Sequence, residues 1–586
     1  MRRLLAASLS IALAAGALGA QAVTKDAPDT PDPRVGLRAG LTDAGQAARG
    51  MELVAHRDKP SGWFNPRQSG DFGFANADLA FRGTLAFQGG YYGVQIWDIA
   101  NPTAPTLRGQ IPCPGGQGDV SVYGNLLFMS VEETRGRVDC GLAPMADSVS
   151  TDRFRGVRIF DIANVAQPRQ IAAVQTCRGS HTHTLVTTPR DPAHLYVYVQ
   201  GTSPSRPAGE LAGCLGGAPL TDPNNPYFRI EIIRVPLAAP AAARIVNAPR
   251  IFANAQGGIA GLNPGGAQGE GSQAVAQTDQ CHDITAYPEI GLAGGACAGN
   301  GILLDISDPA NPARVAEVAD PNFAYWHSAT FNNDGSKVLF TDEWGGGTQP
   351  RCRDTDRPTW GANAIFTRDG RRLTQRGYFK LPAPQTAQEN CVAHNGSLVP
   401  IPGRDVMVQS WYQGGISVFD FTDPSRPTEI AFFDRGPTNA DEMEIGGFWS
   451  SYWYNGRIYG SEIIRGLDVL RLTPTAQLSA NEIAAAELVR DTIFNPQLQT
   501  RLVWPAHVTV SKALLDQLAR NDGLSAARRT AIARELDRAD ALRGAARRTA
   551  FAALASAVER DAATAPDTAK TRMLAASITR LAEASR

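Results

Sequence analysis

The chain has 586 residues and a nearly balanced charge, with 56 Lys and Arg against 57 Asp and Glu. This length is sufficient for more than one domain. A formal net charge of -1 gives no basic surface for nucleic acid. Glycine (58 residues) and proline (39 residues) are abundant, which is typical of a fold with many tight turns.

The N-terminus has the pattern of a secretory signal peptide. Arg2 and Arg3 precede an apolar run, and Ala20-Gln21-Ala22 supplies a small-residue cleavage site. We therefore expect a signal peptide over residues 1–22 and export to the periplasm or the extracellular space. Residues 23–50 are rich in Asp, Pro and Gly and are predicted to be a linker. No later stretch is long and apolar enough to predict a membrane span.

One repeated pattern organises residues 51–474. It is a run of β-branched and aromatic residues, then an Asp, then a turn that contains Pro. The copies are GVQIWDIANPTAP from Gly93, GVRIFDIANVAQP from Gly156, GILLDISDPANP from Gly301 and GGISVFDFTDPSRP from Gly414. A second predicted strand follows each copy. Strand–turn–strand repeats at this spacing predict a β-propeller, and the inner hairpins indicate about seven blades.

These runs resemble the LVIVD repeat of bacterial secreted and cell-surface proteins. The resemblance covers most of residues 51–474 and implies a β-propeller, but it implies no particular chemistry. The stretch MELVAHRD from Met51 is similar to the outer strands of the repeats, yet no partner strands precede it. We expect this strand to join the last blade and close the ring.

The composition changes after Pro474, and residues 475–586 are predicted to form a small Ala-rich helical domain. Ser479 and Glu482 make a capping box at the start of the first helix. Further on, apolar residues recur at helical spacing and are expected to form the core of this domain. They are Leu514, Leu515, Leu518, Ile532, Leu536, Phe551, Leu554 and Val558.

An exported protein with eight cysteines is expected to form disulfides. Pairing of nearest neighbours predicts Cys113–Cys140, Cys177–Cys214, Cys281–Cys297 and Cys352–Cys391. Eight cysteines allow about 105 pairings, so other connectivities stay open. A metal-ligand role for Cys281 or Cys391 is a less favoured alternative.

Four of the eight histidines occupy the same place in the repeat. His181, His282, His327 and His394 each open an inner hairpin, and the first strand of every propeller blade lines the central channel. We therefore expect these residues to surround one mouth of the channel. The candidate metal ligands are His181, His183, His282, His327 and His394. Glu132, Glu343 and Glu462 end neighbouring strands and are expected to accept the free imidazole N–H groups.

A set of neutral imidazoles suits one transition-metal ion such as copper, iron, nickel or zinc, and copper or iron is the cofactor expected here. The alternative is structural, because a histidine at this position can instead hydrogen-bond to the next blade. Two functions follow from these alternatives. The first, narrowly favoured by the sequence, is an exported binding scaffold for a protein, a glycan or a small molecule. The second is a copper- or iron-dependent oxidase or oxygenase at the channel mouth.

Overall fold

In the described residues, seven antiparallel sheets form a β-propeller, as the repeats predicted; each contains four blade strands, and two of the sheets gain a fifth strand. The computed structural model describes residues 31–217, 222 and 224–585. The predicted signal peptide therefore lies outside the described residues, as does the first part of the predicted linker.

The first strand of every blade lines the channel and is called the inner strand, and the other three strands follow outwards in order. Blade 1 consists of Asn76–Arg82, Leu85–Gly90, Gly93–Asp98 and Thr106–Pro112, and blade 2 of Val120–Tyr123, Leu126–Val131, Gly156–Asp161 and Arg169–Gln175. Blade 3 consists of Thr182–Val186, His194–Gln200, Glu231–Pro236 and Arg244–Asn247. Blade 4 consists of Asp283–Tyr287, Leu292–Cys297, Asn300–Asp305 and Ala313–Val318.

Blade 5 consists of Trp326–Phe331, Lys337–Asp342, Asn363–Asp369 and Arg372–Phe379. Blade 6 consists of Gly396–Val399, Val406–Ser410, Ile416–Asp420 and Thr428–Arg435. Blade 7 consists of Phe448–Tyr454, Arg457–Glu462, Gly466–Leu472 and Met51–Arg57. A small two-stranded sheet (Gly266–Ala267 and Ala274–Val275) lies outside the blades, and short 3-10 helices span Phe72–Phe74, Pro240–Ala242, Pro288–Ile290 and Trp344–Gly347.

The ring is closed by the N-terminal strand, which confirms the prediction for MELVAHRD. Met51–Arg57 pairs antiparallel with Gly466–Leu472 and supplies the outer strand of blade 7. The strand before it differs from expectation. Gln46–Arg49 falls within the predicted linker but pairs with Thr428–Arg435 as a fifth strand of blade 6. This extra strand satisfies backbone groups that the outer edge of blade 6 would otherwise leave unpaired.

The Asp that ends each sequence repeat fixes the turn that follows it. The Oδ1 atoms of Asp98, Asp161, Asp305 and Asp420 each accept a hydrogen bond from the backbone N–H two residues later, at 2.7–3.0 Å. An Asx turn of this kind ends the third strand and directs the chain into the outer strand of the blade.

The C-terminal region contains five helices: Ala480–Ala486, Val508–Arg520, Ala526–Asp540, Gly544–Ala562 and Thr568–Ala584. The predicted capping box is present, because Ser479 Oγ accepts from the Glu482 N–H and the Glu482 carboxylate accepts from the Ser479 N–H. The predicted apolar residues form the buried core of the last four helices. None of the described helices is long and apolar enough to cross a membrane.

Between the first two helices, residues 493–502 cross the channel at the end opposite the predicted histidine mouth. We call them the floor segment. Ile493–Phe494 pairs with the inner strand of blade 1. The side-chain amide of Asn495 bonds both the N–H and the carbonyl of Val122 in blade 2, and Gln499 does the same with Phe331 in blade 5. These amides substitute for a neighbouring strand along the free edges of the inner strands.

All four disulfides predicted from nearest neighbours are present: Cys113–Cys140, Cys177–Cys214, Cys281–Cys297 and Cys352–Cys391. None of the eight cysteines is free, so Cys281 and Cys391 are not available as metal ligands. The four bridges indicate that the protein matures in an oxidising compartment.

Ring closure includes one titratable contact that gives it a predicted pH dependence. His56 Nδ1 lies 2.6 Å from Asp468 Oδ1 across the closing pair of strands, and this hydrogen bond raises the pKa of His56 above its ordinary value of 6.5. The folded state therefore binds this proton more tightly than the unfolded state. The resulting stabilisation is complete below about pH 6.5 and is lost as the pH rises through the folded pKa.

We expect His56→Gln to lower the thermal midpoint more at about pH 5.5 than at about pH 9. Glu52→Gln is the matched control, because Glu52 lies on the same strand and pairs with Arg471 in a half-exposed ion pair of little energetic value. An equal loss at both pH values for His56→Gln would contradict the assigned role of the protonated imidazole.

Candidate functional site

Four histidines from consecutive blades form a row at one mouth of the channel. Each lies within two residues of the start of an inner strand, in blades 3, 4, 5 and 6. The ring centroids are 4.2 Å apart for His181 and His282, 3.8 Å for His282 and His327, and 4.3 Å for His327 and His394. Because the inner strands start at the same mouth, the repeat places chemically identical side chains side by side.

The Nδ1 atoms of these histidines face polar protein atoms. His181 Nδ1 is 2.7 Å from Glu132 Oε1, and His282 Nδ1 is 3.1 Å from Asp283 Oδ1. His394 Nδ1 donates to the carbonyl of Trp449. His327 Nδ1 has a longer contact of 3.4 Å with the hydroxyl of Thr341. For His327 and His394, a proton on Nδ1 leaves Nε2 with a free lone pair, which is the arrangement found in metal-bound histidines.

Glu343 completes a compact group with the last two histidines of the row. Its Oε2 lies 3.7 Å from His327 Nε2, and its Oε1 lies 3.5 Å from His394 Nε2. Both Nε2 atoms are buried and have no hydrogen-bond partner among the described residues. Ligand atoms about 2.1 Å from one ion, at angles between 90 and 110 degrees, are about 3.0–3.5 Å apart. The three side chains are therefore close enough to form a metal site if they move slightly towards a shared ion.

The expectation of one ion surrounded by every predicted histidine is too broad for this geometry. In the described part of the chain, two groups have ligand atoms that all lie within 4.8 Å of one another: His282, Asp283 and His327, and His327, Glu343 and His394. His181 belongs to neither group, although its Nε2 lies 2.6 Å from His282 Nε2. The four imidazoles are therefore adjacent without all converging on one point.

Burial sets the protonation of this cluster. It lowers the pKa of His394 to about 3 and that of His327 well below the ordinary value, with neighbouring imidazoles adding to both effects. Both rings are therefore neutral and able to bind a cation through nitrogen. Burial also raises the pKa of Glu343 to about 7, because its negative charge has lost the solvation of water.

His181 differs electrostatically from the other three. Its burial would lower its pKa, but the adjacent Glu132 carboxylate outweighs that effect and raises it. Glu132 is itself fixed by the hydroxyl of Thr202, which donates to its Oε2 at 2.7 Å. This end of the row is therefore a rigid carboxylate–imidazole pair.

Two of the predicted site residues lie apart from the row. His183, on the same face of its strand as His181, points deeper into the channel, where its Nδ1 contacts Ser130 Oγ at 2.8 Å and Asp119 Oδ2 at 3.1 Å. Glu462 accepts from the backbone N–H of Ile464 at 2.8 Å and pairs with Arg465 at 3.0 Å. Its carboxylate therefore fixes a loop of blade 7 and bonds to none of the four histidines.

A pocket of about 430 Å³ opens onto the row and is lined by His181, His282 and Glu343. The rest of its wall is largely aromatic, with Phe72, Tyr91, Tyr325, Trp344 and Trp449. Trp449 links this wall to the buried histidines, because its ring lies 5.3 Å from that of His394 and its carbonyl accepts from the same residue. A small molecule in this pocket would lie next to the candidate ligands.

Tyr412 and Gly347 are parts of the site that sequence reasoning missed. The Tyr412 hydroxyl donates to Glu343 Oε1 at 2.5 Å and so orients the carboxylate. Gly347 has a φ of +66° and packs so closely on Tyr412 that a Cβ atom would lie 2.2 Å from its ring. Nothing near Gly347 in the sequence indicates contact with Tyr412.

We expect Gly347→Ala to destabilise the fold by about 1–3 kcal/mol more than Gly346→Ala. Gly346 also has a positive φ, of +61°, but has no atom within 4 Å of an added Cβ. It therefore controls for the cost of the left-handed backbone alone. Urea unfolding measures the difference, and equal losses in the two variants would show that Tyr412 moves aside without cost.

The comparisons with known proteins show the chain to be similar to solved structures only at a low level. No family model and no curated protein sequence matches it. A 6-phosphogluconolactonase candidate from Bacteroides fragilis has 10% identity and a TM-score of 0.38, with 68% of this chain and 89% of that chain covered. Hydrazine synthase from Kuenenia stuttgartiensis has 11% identity and a TM-score of 0.39, with 67% and 93% covered. The N-terminal domain of Nup159 has 9% identity and a TM-score of 0.40, with 72% and 96% covered. These scores are too low to support an argument about this chain.

Proposed function

We propose that this propeller binds one transition-metal ion at the channel mouth through His327, His394 and Glu343, and that the bound ion acts on a small molecule in the adjacent pocket. Two imidazoles and one carboxylate are a donor set suited to iron(II), and imidazoles also suit copper. A metal held by only three protein groups keeps positions open for substrate or oxygen. Such an ion would supply the redox chemistry of an oxidase or oxygenase.

The observation that carries this proposal is the pair of buried, unpartnered Nε2 atoms on His327 and His394. A histidine kept only to brace neighbouring blades is expected to hydrogen-bond through both ring nitrogens when buried. A buried polar atom without a partner costs about 1–3 kcal/mol. Two such atoms facing one carboxylate favour a cation in the space between them.

The surroundings of the three candidate ligands support a reactive site more than a rigid one. His181 and His282 line the pocket beside the proposed ion, and His181 is hydrogen-bonded to Glu132, which supports a proton-transfer role for its imidazole. A binding scaffold for a protein or glycan, which the sequence narrowly favoured, needs no buried group of metal-ligating side chains. The geometry therefore favours the metal-dependent function.

Metal analysis tests the proposal directly. We expect the purified full chain, reconstituted with iron(II) or copper(II) and then desalted, to retain about one ion per chain. The double variant His327→Ala, His394→Ala should lose it, because only the carboxylate of the ligand group remains. Glu343→Gln should bind the metal about 10-fold more weakly than the unmodified chain, or more weakly still, because it removes the charged ligand and keeps the shape of the side chain.

His507→Asn serves as the control for loss of a histidine. His507 is exposed, caps the helix Val508–Arg520 and lies outside both ligand groups, and Asn is also a good N-cap residue. Its metal content should equal that of the unmodified protein. Retention of metal by the double variant, or failure of the unmodified chain to bind either ion, would overturn the proposal.

A further inference from the structure

Three of the four disulfides have a cysteine just before a histidine of the row. Each of these cysteines lies in the segment through which the chain enters an inner strand, so the bridges fasten the entry segments of blades 3, 4 and 6 at the mouth where the row lies. The cysteine–histidine pairs, four, one and three residues apart, are Cys177 and His181, Cys281 and His282, and Cys391 and His394.

The bridge Cys352–Cys391 joins the segments that carry two of the proposed ligands. Glu343 opens an insertion, residues 343–362, between the second and third strands of blade 5. Cys352 lies inside this insertion, and Cys391 lies in the segment that leads to His394. The bridge is therefore a covalent link between the region of the carboxylate and the region of the imidazole.

The insertion has little regular structure of its own. Its only helix in the described chain is the single 3-10 turn Trp344–Gly347. Two hydrogen bonds join it to the segment before blade 6: the side-chain amide of Asn390 donates to the carbonyl of Gly347 at 2.8 Å, and the N–H of Arg351 donates to the carbonyl of Cys391 at 3.1 Å. Irregular segments with few such bonds open most easily, so the covalent link matters most here.

The bridge Cys281–Cys297 acts on the neighbouring part of the row, because its first cysteine directly precedes His282. Its second cysteine is followed by Ala298, which exchanges two backbone hydrogen bonds with Trp326, at 2.8 and 3.1 Å. Trp326 in turn directly precedes the proposed ligand His327. This bridge therefore fixes the backbone of blade 4 against the start of the next inner strand.

The bridge Cys177–Cys214 supports the other end of the row. Its second cysteine lies between the second and third strands of blade 3, in an insertion that begins beside Glu132. There the hydroxyls of Thr202 and Ser203 donate to the Glu132 carboxylate and to its backbone carbonyl, at 2.7 and 2.8 Å. Glu132 is the hydrogen-bond partner of His181, so this bridge steadies the carboxylate–imidazole pair.

From this placement we propose that Cys352–Cys391 and Cys281–Cys297 are positioning residues of the metal site, which hold the segments of Glu343, His394 and His327 together for one ion. This inference rests on the metal-binding function proposed above and names what prearranges its ligand group. Ligands bind tightly only when surrounding groups fix their orientation. The chain therefore acquires its full metal affinity only in the disulfide-bonded form.

Two variants that each lack one bridge test this inference. Cys352→Ala, Cys391→Ala removes a positioning bridge. Cys113→Ala, Cys140→Ala is the matched control, because that bridge precedes blade 2, which carries no histidine of the row. The bridged cysteines are 39 and 27 residues apart, so the chain-entropy model predicts similar losses of stability. Both variants should unfold at lower urea concentrations than the unmodified chain.

Only the first variant should bind metal more weakly. We expect its affinity for iron(II), titrated without oxygen where circular dichroism shows a folded chain, to fall about tenfold. Its copper(II) electron paramagnetic resonance spectrum should also change, because a less fixed ligand group alters the coordination geometry. The control should keep the affinity and the spectrum of the unmodified chain. Unchanged affinity and spectrum in the first variant, or equal changes in both variants, would overturn the inference.

Cys281→Ala, Cys297→Ala is a second positioning variant, which decides the question if the first does not fold. Its cysteines are only 16 residues apart, so the same model predicts the smallest loss of stability. It should also weaken iron(II) binding about tenfold. An affinity equal to that of the unmodified chain would contradict the positioning role.

Hydrogen–deuterium exchange separates this inference from the proposal on which it rests. We expect faster exchange in residues 343–362 of Cys352→Ala, Cys391→Ala and no change there in the control. Metal binding by the unmodified chain, with unchanged exchange and affinity in the variant, would overturn only the positioning role. If the unmodified chain binds no metal, the metal-dependent function is overturned. Faster exchange confined to the variant would then still support an ordering role for the bridge, and unchanged exchange would overturn that role as well.

Discussion

The antiparallel pairing of Met51–Arg57 with Gly466–Leu472 is the constraint on which the rest of the structure depends. This pairing joins two segments from opposite ends of the propeller sequence and turns a row of sheets into a closed ring. The four histidines are neighbours because they occupy equivalent positions in the consecutive blades 3 to 6. Closure at blade 7 holds these blades in a fixed arrangement around one channel.

The floor segment makes the two ends of the channel differ in structure. At one end the pocket leads to the histidine row, and at the other end Asn495 and Gln499 occupy the free edges of inner strands with their side-chain amides. The helices that follow contact blade 6, where Gln517 and Trp504 donate to the carbonyls of Pro402 and Pro400. The C-terminal region thus braces the ring from the side opposite the candidate site.

The interactions that could be predicted from the sequence are those that repeat along the chain or join residues close together in it. The blades, the closing strand and the Asx turns repeat, so their patterns are visible in the sequence. The four disulfides join cysteines that are neighbours along the chain. The register of the repeat was also enough to bring His181, His282, His327 and His394 together, and to place Glu132 and Glu343 beside them.

Features formed by single, distant contacts could not be predicted in the same way. The bond from Tyr412 to Glu343 spans blades 6 and 5, and the fit of Gly347 against the Tyr412 ring has no sequence signature. Glu462 occupies the same position in its blade as Glu132 and Glu343 do in theirs, but its carboxylate forms an ion pair with Arg465, three residues later. The floor segment has no periodicity because its contacts are made by side-chain amides.

The location of the closing strand also means that the ring can close only late in folding. The N-terminal strand Met51–Arg57 pairs with a strand that begins only at Gly466. The floor segment, which braces the inner strands, lies still further along the sequence. Contacts of such long sequence separation form slowly. Until they form, every intermediate exposes strand edges that can pair with another chain. The four disulfides, each bridging at most 39 residues, can form within single regions of the chain and limit its misassembly before the ring is sealed.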